Sequence, residues 1–199
     1  MSYDNANKLY DDIFKNIKKL KWDNVKKLIM KNKKMVKDIV NKPDIGNNYI
    51  IQYAVLYNRV DIVKILLSLE VRIDVVYNDD DKSLLYYPIK FHYNEILDLL
   101  LDYTNFGMRL IDITDYPYGQ SVIFYCMKYN NLYAFNKIIT IDNNILFYKN
   151  INGYNIIHEC ITEANIEFFD YILNLYIVKK FREILNYQNI EGYTPLHLA

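Results

Sequence analysis

Glu191-Gly192-Tyr193-Thr194-Pro195-Leu196-His197-Leu198-Ala199 is the stretch on which the reading of this chain turns. Gly192 lets the backbone turn where a side chain would strain it. Thr194 offers a hydroxyl to cap a helix, and Pro195, at the first helical position, has no amide donor to leave unpaired. Leu196 and Ala199, three residues apart, fall on one helical face and are expected to reach a core. The nine residues predict a tight turn that opens a helix.

The pattern recurs upstream. Gly153-Tyr154-Asn155-Ile156-Ile157-His158-Glu159-Cys160 puts His158 in the slot of His197 and Cys160 in that of Ala199. Gly119-Gln120-Ser121-Val122-Ile123-Phe124-Tyr125-Cys126 keeps a capping hydroxyl at Ser121 and replaces His by Phe124. Asp81-Lys82-Ser83-Leu84-Leu85-Tyr86-Tyr87-Pro88 keeps Ser and Leu only, and Tyr49-Ile50-Ile51-Gln52-Tyr53-Ala54 keeps an apolar position and Ala54. Behind each lies an apolar stretch with helical spacing, at residues 58–67, 94–101, 132–139 and 166–173. Ile13, Phe14 and Ile17, then Trp22, Val25, Leu28 and Ile29, carry the rhythm at the N-terminus without the signature. The small-residue slots fall near Ile17, Ala54, Pro88, Cys126, Cys160 and Ala199, separated by 37, 34, 38, 34 and 39 residues.

Gly-x-Thr-Pro-Leu-His-x-Ala resembles the opening of an ankyrin repeat, a unit of about 33 residues built from a β-turn and two antiparallel helices. The resemblance covers nearly the whole chain. It implies an all-α solenoid of stacked helix-turn-helix units joined by β-turn or hairpin loops. One array over residues 1–199 is expected. It divides into a capping unit at 1–43, units at 44–78, 79–115, 116–149 and 150–188, and the first part of a truncated unit at 189–199. Because the last unit stops before its second helix, Leu196 and Ala199 are left without the helix that should bury them, and the chain is expected to be a fragment of a longer array. Pro88 falls inside a first helix, where proline deletes a backbone hydrogen bond and costs about 3 kcal/mol, so that helix should be short or distorted.

Composition narrows the function classes. The chain has 199 residues, 52% of them hydrophobic, enough for a sizeable core. Lys+Arg 24 against Asp+Glu 24 leaves no net charge, so the whole molecule has no general pull toward nucleic acid. Residues 1–43 hold twelve Lys and five Asp, a local balance of +7, which reads as a solvated helical surface or a patch for an acidic partner. No signal peptide or membrane-length apolar run is present. An intracellular, cytoplasmic monomer is expected, in the host cytoplasm if the chain is viral. The 21 Tyr, and Lys over Arg by 20 to 4, follow AT-rich codons. In composition the chain is similar to the ankyrin proteins of giant DNA viruses.

No residue set points to catalysis, a cofactor or a metal. His158 and His197 occupy the slot in which the family uses histidine to bond neighbouring backbone and the capping hydroxyl. Cys126 and Cys160 occupy small-residue slots and are expected to be free, buried hydrophobes. Asp79-Asp80-Asp81 lacks the glycine and distal glutamate of a calcium loop and reads as an acidic turn. A non-enzymatic protein–protein interaction module is the reading, with no small-molecule substrate, no nucleic acid and no cofactor. Adaptor function in ubiquitin transfer, through an F-box-like segment beyond Ala199, is the alternative the viral resemblance implies. The family's contact positions flank the turn glycine and follow the small-residue slot. Here they give Tyr57, Phe91, Tyr118, Gln120, Tyr129, Asn152, Tyr154, Glu163 and Tyr193 as partner-binding candidates. Gly153, His158, Gly192, Thr194, Pro195, Leu196, His197 and Ala199 are assigned to the structural motif. Tyrosine gives much contact area for few rotatable bonds, which suits an interface.

Overall fold

The computed structural model describes residues 2–77, 81–103, 110–115, 117–175 and 183–199. Asp79 and Asp80 lie outside the described residues. The chain runs α1 (Ser2–Lys18), α2 (Trp22–Lys31), α3 (Lys33–Ile39), α4 (Ile50–Leu56) and α5 (Val60–Ser68). A two-stranded antiparallel hairpin follows, β1 (Val76–Tyr77) with β2 (Lys82–Ser83), in which Val76 faces Ser83. Then come α6 (Tyr86–Lys90), α7 (Asn94–Leu101), α8 (Val122–Lys128), α9 (Leu132–Ile141), α10 (Ile156–Thr162), α11 (Ile166–Asn174) and α12 (Pro195–Leu198).

The helices form two layers. In the first, α4 packs on α6, α6 on α8, α8 on α10, and α10 on α12. In the second, α5 packs on α7 and α7 on α9, while Phe135 of α9 meets Phe168 of α11 with ring centroids 5.0 Å apart. Ile51, Val55, Ile62, Leu66, Ile96, Ile123, Ile138, Ile157 and Ile172 are fully buried between the layers. Each such side chain contributes about 1.5–3 kcal/mol.

Every helix pair turns in the same way. Leu20, Asn58, His92, Asn130 and Ala164 sit at the turn with φ between 49° and 56°. The amide after each reaches back five residues to close the first helix: Lys21 to Asn16, Arg59 to Ala54, Tyr93 to Pro88, Asn131 to Cys126 and Asn165 to Cys160, at 2.8–2.9 Å. This fixes the register of the first unit on Asn16, one residue before Ile17. The turn residues are spaced 38, 34, 38 and 34 apart.

Four of the tips between units are each organised by one acidic or amide side chain. Asp44 Oδ1 accepts the amides of Gly46 and Asn48, Asn150 Oδ1 those of Asn152 and Tyr154, and Asn189 Oδ1 those of Glu191 and Tyr193, all at 2.8–3.0 Å. Asp115 does the same for Gln120 at 2.7 Å and also takes the Tyr125 hydroxyl. Such side chains mimic a backbone turn and satisfy amides that no helix or strand serves.

Two sequence expectations are corrected here, at Pro88 and at Ser121. Pro88 is the third residue of α6, where amides have no intrahelical partner anyway, so no hydrogen bond is lost. The helix is indeed only five residues long. Leu196 is 81% exposed and Ala199 is also exposed. Both are left without a second helix to cover them, as expected of the truncated unit, while Pro195 is buried where α12 packs on α10. Ser121 stands at the N-cap of α8 with extended backbone but makes no side-chain capping bond. The N-terminal unit adds α3, which buries Val36 and Ile39 against α1.

Candidate protein-binding surface

Between units 5 and 6, the buried imidazole of His158 joins two backbones. Its Nε2 lies 3.1 Å from the Tyr193 carbonyl, which can only accept, so Nε2 carries the hydrogen. Nδ1 then accepts the Asn155 amide at 3.2 Å, while Asn155 Oδ1 caps α10 by accepting from Ile157 and His158. Burial lowers the His158 pKa, which keeps the ring neutral as this arrangement requires. The cap is an amide here, not the hydroxyl expected. In the final unit Thr194 supplies it, with its amide 3.1 Å and its Oγ1 2.7 Å from His197 Nδ1.

Sequence reading missed that Gln52 does the work of His158 one end of the array away. Gln52 is 1% exposed; its Oε1 accepts the Tyr49 amide at 2.7 Å and its Nε2 donates to the Val76 carbonyl at 2.8 Å. It fills the His slot with a side chain that offers the same acceptor and donor. That equivalence was the available signal. Asn131 and Asn165 form a second ladder: each caps its own second helix and donates to a carbonyl of the preceding unit, Ile89 at 2.8 Å and Met127 at 3.2 Å.

In the middle of the array the same slots hold rings. Tyr86 contacts Tyr87, Tyr125 and Tyr129 with centroids 5.0, 4.9 and 5.9 Å away, and shares a 2.8 Å hydrogen bond with the Tyr129 hydroxyl. Tyr87 extends the network to Tyr77 at 4.7 Å and to Phe91, stacked at 5.9 Å. Lys90 lies over three of these rings, Tyr86, Phe91 and Tyr129, at 5.3–5.7 Å. Burial and then the Tyr86 bond raise the Tyr129 pKa. Beside this network, Gln52, Tyr53, Leu56, Tyr77 and Tyr87 line a cavity of about 400 Å³.

The partner-binding candidates divide accordingly. Phe91 and Tyr129 lie within the ring network, Phe91 44% exposed and Tyr129 half-buried. Tyr57 leans on Trp22 at 5.7 Å. Tyr154 stacks on its own His158 at 5.3 Å, and Tyr193 leans on His197 at 6.3 Å. Tyr118 and Asn152 are exposed tip residues whose carbonyls accept the amides of Ile151 and Ile190 in the next tip, at 3.0 and 3.1 Å. Gln120 is half-buried and Glu163 exposed at the helix turn. Tyr86, at the centre of the network, was not singled out from sequence because its ring contacts with Tyr125 and Tyr129 cross units.

Cys126 and Cys160 are free and buried, and burial pushes the Cys126 thiol well up and the Cys160 thiol up to about 12. Among the described residues no group of three His, Cys, Asp or Glu could hold a metal ion, and no helix is long and apolar enough to cross a membrane.

Residues 20–115 match the family model described as ankyrin repeats (3 copies). Over 162 residues the chain is 34% identical to the putative ankyrin repeat protein L371 of Acanthamoeba polyphaga mimivirus, a match covering 80% of this chain and 20% of that protein. The chain thus spans about a fifth of the length of the curated relative it matches. Among solved structures it is similar to the ankyrin repeat protein EF0377, with a TM-score of 0.72 at 18% identity. An ankyrin repeat domain from Acinetobacter baumannii AYE gives 0.74 at 17%. A chain in the complex of the Bd0816 predatory endopeptidase from Bdellovibrio bacteriovorus with the immunity protein Bd3460 gives 0.73 at 19%. Each match covers 94% of this chain and 89% of the other, and at these identities the likeness is one of fold.

Proposed function

The chain is an ankyrin-repeat solenoid, and from that premise we propose that it binds a partner protein through the first-helix and tip surface, with no chemistry of its own. Ankyrin repeats are protein-interaction modules. The observation that carries the finer reading is the ring network of Tyr86, Tyr87, Phe91 and Tyr129 with Lys90 over it. Rings already packed on one another lose little rotational freedom when a partner covers them, which suits an anchor surface. The candidate contacts Tyr118, Asn152, Tyr154 and Tyr193 extend the same side of the array into units 4 to 6.

Binding of a partner recovered by affinity capture tests this directly. Phe91→Ala with Tyr129→Ala, or Tyr154→Ala with Tyr129→Ala, should weaken it by more than tenfold, about 1.4 kcal/mol or more. Tyr133→Ala, on a second helix with its hydroxyl bonded to Asp98, should leave binding within twofold. The reverse pattern, loss at Tyr133 and none at Phe91, Tyr129 or Tyr154, would place the partner on the other layer.

A further inference from the structure

A second surface lies at the N-terminal end of the array, apart from the ring network. We propose that the groove between α1 and the first tip docks an acidic protein segment carrying an apolar anchor. The groove has a volume of about 350 Å³. Its floor is preformed: the Tyr10 and Phe14 rings lie 4.7 Å apart, Tyr10 donates to the Pro43 carbonyl at 2.5 Å, and Phe14 meets Tyr53 at 6.2 Å. On its rim Ile45 is 99% exposed, a large apolar side chain that the fold leaves uncovered.

The charges around this apolar strip are cationic on balance, three lysines against Asp11 and Asp44. Lys15 and Lys18, three apart on one face of α1, and Lys19, in the turn that follows it, line the groove. All three are exposed, and none makes an ion pair among the described residues, whereas Lys26 and Lys37 pair with Asp61 and Glu70. Asp44 forms no ion pair with them: its Oδ1 accepts the amides of Gly46 and Asn48 and its Oδ2 the Tyr53 hydroxyl at 2.9 Å. The surrounding segment, residues 1–43, carries the +7 balance. An apolar slot ringed by unpaired lysines complements a segment with Asp or Glu on either side of an apolar residue, with charge steering the encounter and the anchor holding it. Nucleic acid fits less well. The Tyr10 and Phe14 rings are packed into the floor and not offered for stacking.

Selection of a random dodecapeptide phage library on the whole chain tests the site. Enriched peptides should carry acidic residues around an apolar one. As fluorescein conjugates they should bind at least tenfold more weakly to the Lys15→Glu/Lys18→Glu/Lys19→Glu variant, and separately to Ile45→Asp. Affinity should fall with added salt, and Phe91→Ala/Tyr129→Ala should leave it unchanged. These substitutions are at exposed positions away from the ring network, and circular dichroism verifies the fold. Four results would overturn the proposal: no enrichment, enrichment of neutral or basic peptides, binding indifferent to the lysine variant, or displacement of the peptide by a single-stranded oligonucleotide or phosphatidylserine vesicles at lower concentration. Peptides lost on Phe91→Ala/Tyr129→Ala but kept by the lysine variant would overturn this site while supporting the ring-network surface.

Discussion

Units 5 and 6 and units 3 and 4 fill equivalent slots with opposite chemistry. At one end His158 ties two backbones by hydrogen bonds through a neutral ring, and Gly153 lets the tips close to backbone contact. In the middle Tyr86 and Phe124 occupy the His slot, and adjacent units adhere through ring faces and a shared pair of hydroxyls. The polar joint is directional and tolerates few substitutes. The aromatic joint spreads its energy over many contacts, each worth about 0.5–1.5 kcal/mol beyond burial. A solenoid needs its neighbours registered, and both solutions register them.

Glycine substitutions should break the polar joint hardest. A Cβ on Gly153 would lie 2.9 Å from the Ile190 amide and 3.1 Å from Asn189 Cα, at φ +74°, whereas one on Gly192 meets nothing within 4 Å. Gly153→Ala is expected to cost about 2–4 kcal/mol, through left-handed strain and the lost Ile190–Asn152 bond, and Gly192→Ala about 1 kcal/mol. Denaturant midpoints of the two variants would check the difference, and equal losses would mean the tips do not hold the units together.

The next largest effect lies in the imidazole itself. His158→Ala should cost about 1–3 kcal/mol by orphaning the Asn155 amide and Tyr193 carbonyl. His158→Gln should recover most of it, because Gln52 already performs that task. The pair also separates by pH. The folded state holds the His158 pKa below its ordinary 6.5, so below that pH the unfolded chain binds the proton more readily. The contribution is therefore full above about 6.5 and drains away as the pH falls toward the depressed folded value. In His158→Gln that slope should vanish, whereas the raised Glu159 pKa, which acts with the opposite sign, remains in both proteins. Thermal unfolding across mildly acidic pH reads it.

Smallest is the aromatic joint. Tyr86→Phe removes one hydroxyl from a half-open pair and keeps every ring contact, so a loss of no more than about 1 kcal/mol is expected in the same denaturant assay. A loss matching that of His158→Ala would show the middle joint to be polar after all.

Sequence reading located the helices well where apolar spacing was dense, as in α5, α7, α9 and α11, because a helix face is a local property. The signature was legible at Gly153-His158 and Gly192-His197, yet the family model aligns to residues 20–115, where that signature is thin and the second helices are strongest. Met35, Val36, Ile39 and Val40 carried helical spacing that was not used, and α3 forms there. Leu196 is exposed, as the reading of a unit without its second helix implied. The ring network was hidden for a different reason: Tyr86 and Tyr129 lie 43 residues apart, and among 21 tyrosines nothing in the sequence marks those two as partners.

The turn residues Leu20, His92 and Ala164 stand 72 apart, as do Asn58 and Asn130. The two long intervals are filled differently, the first by α3 and the other by the connection from α7 to α8. The turn bond inside each helix pair is the same in long and short intervals alike. Length is thus absorbed between the pairs, and the outer connections of this stack are where residues can be added without disturbing the joint within a pair.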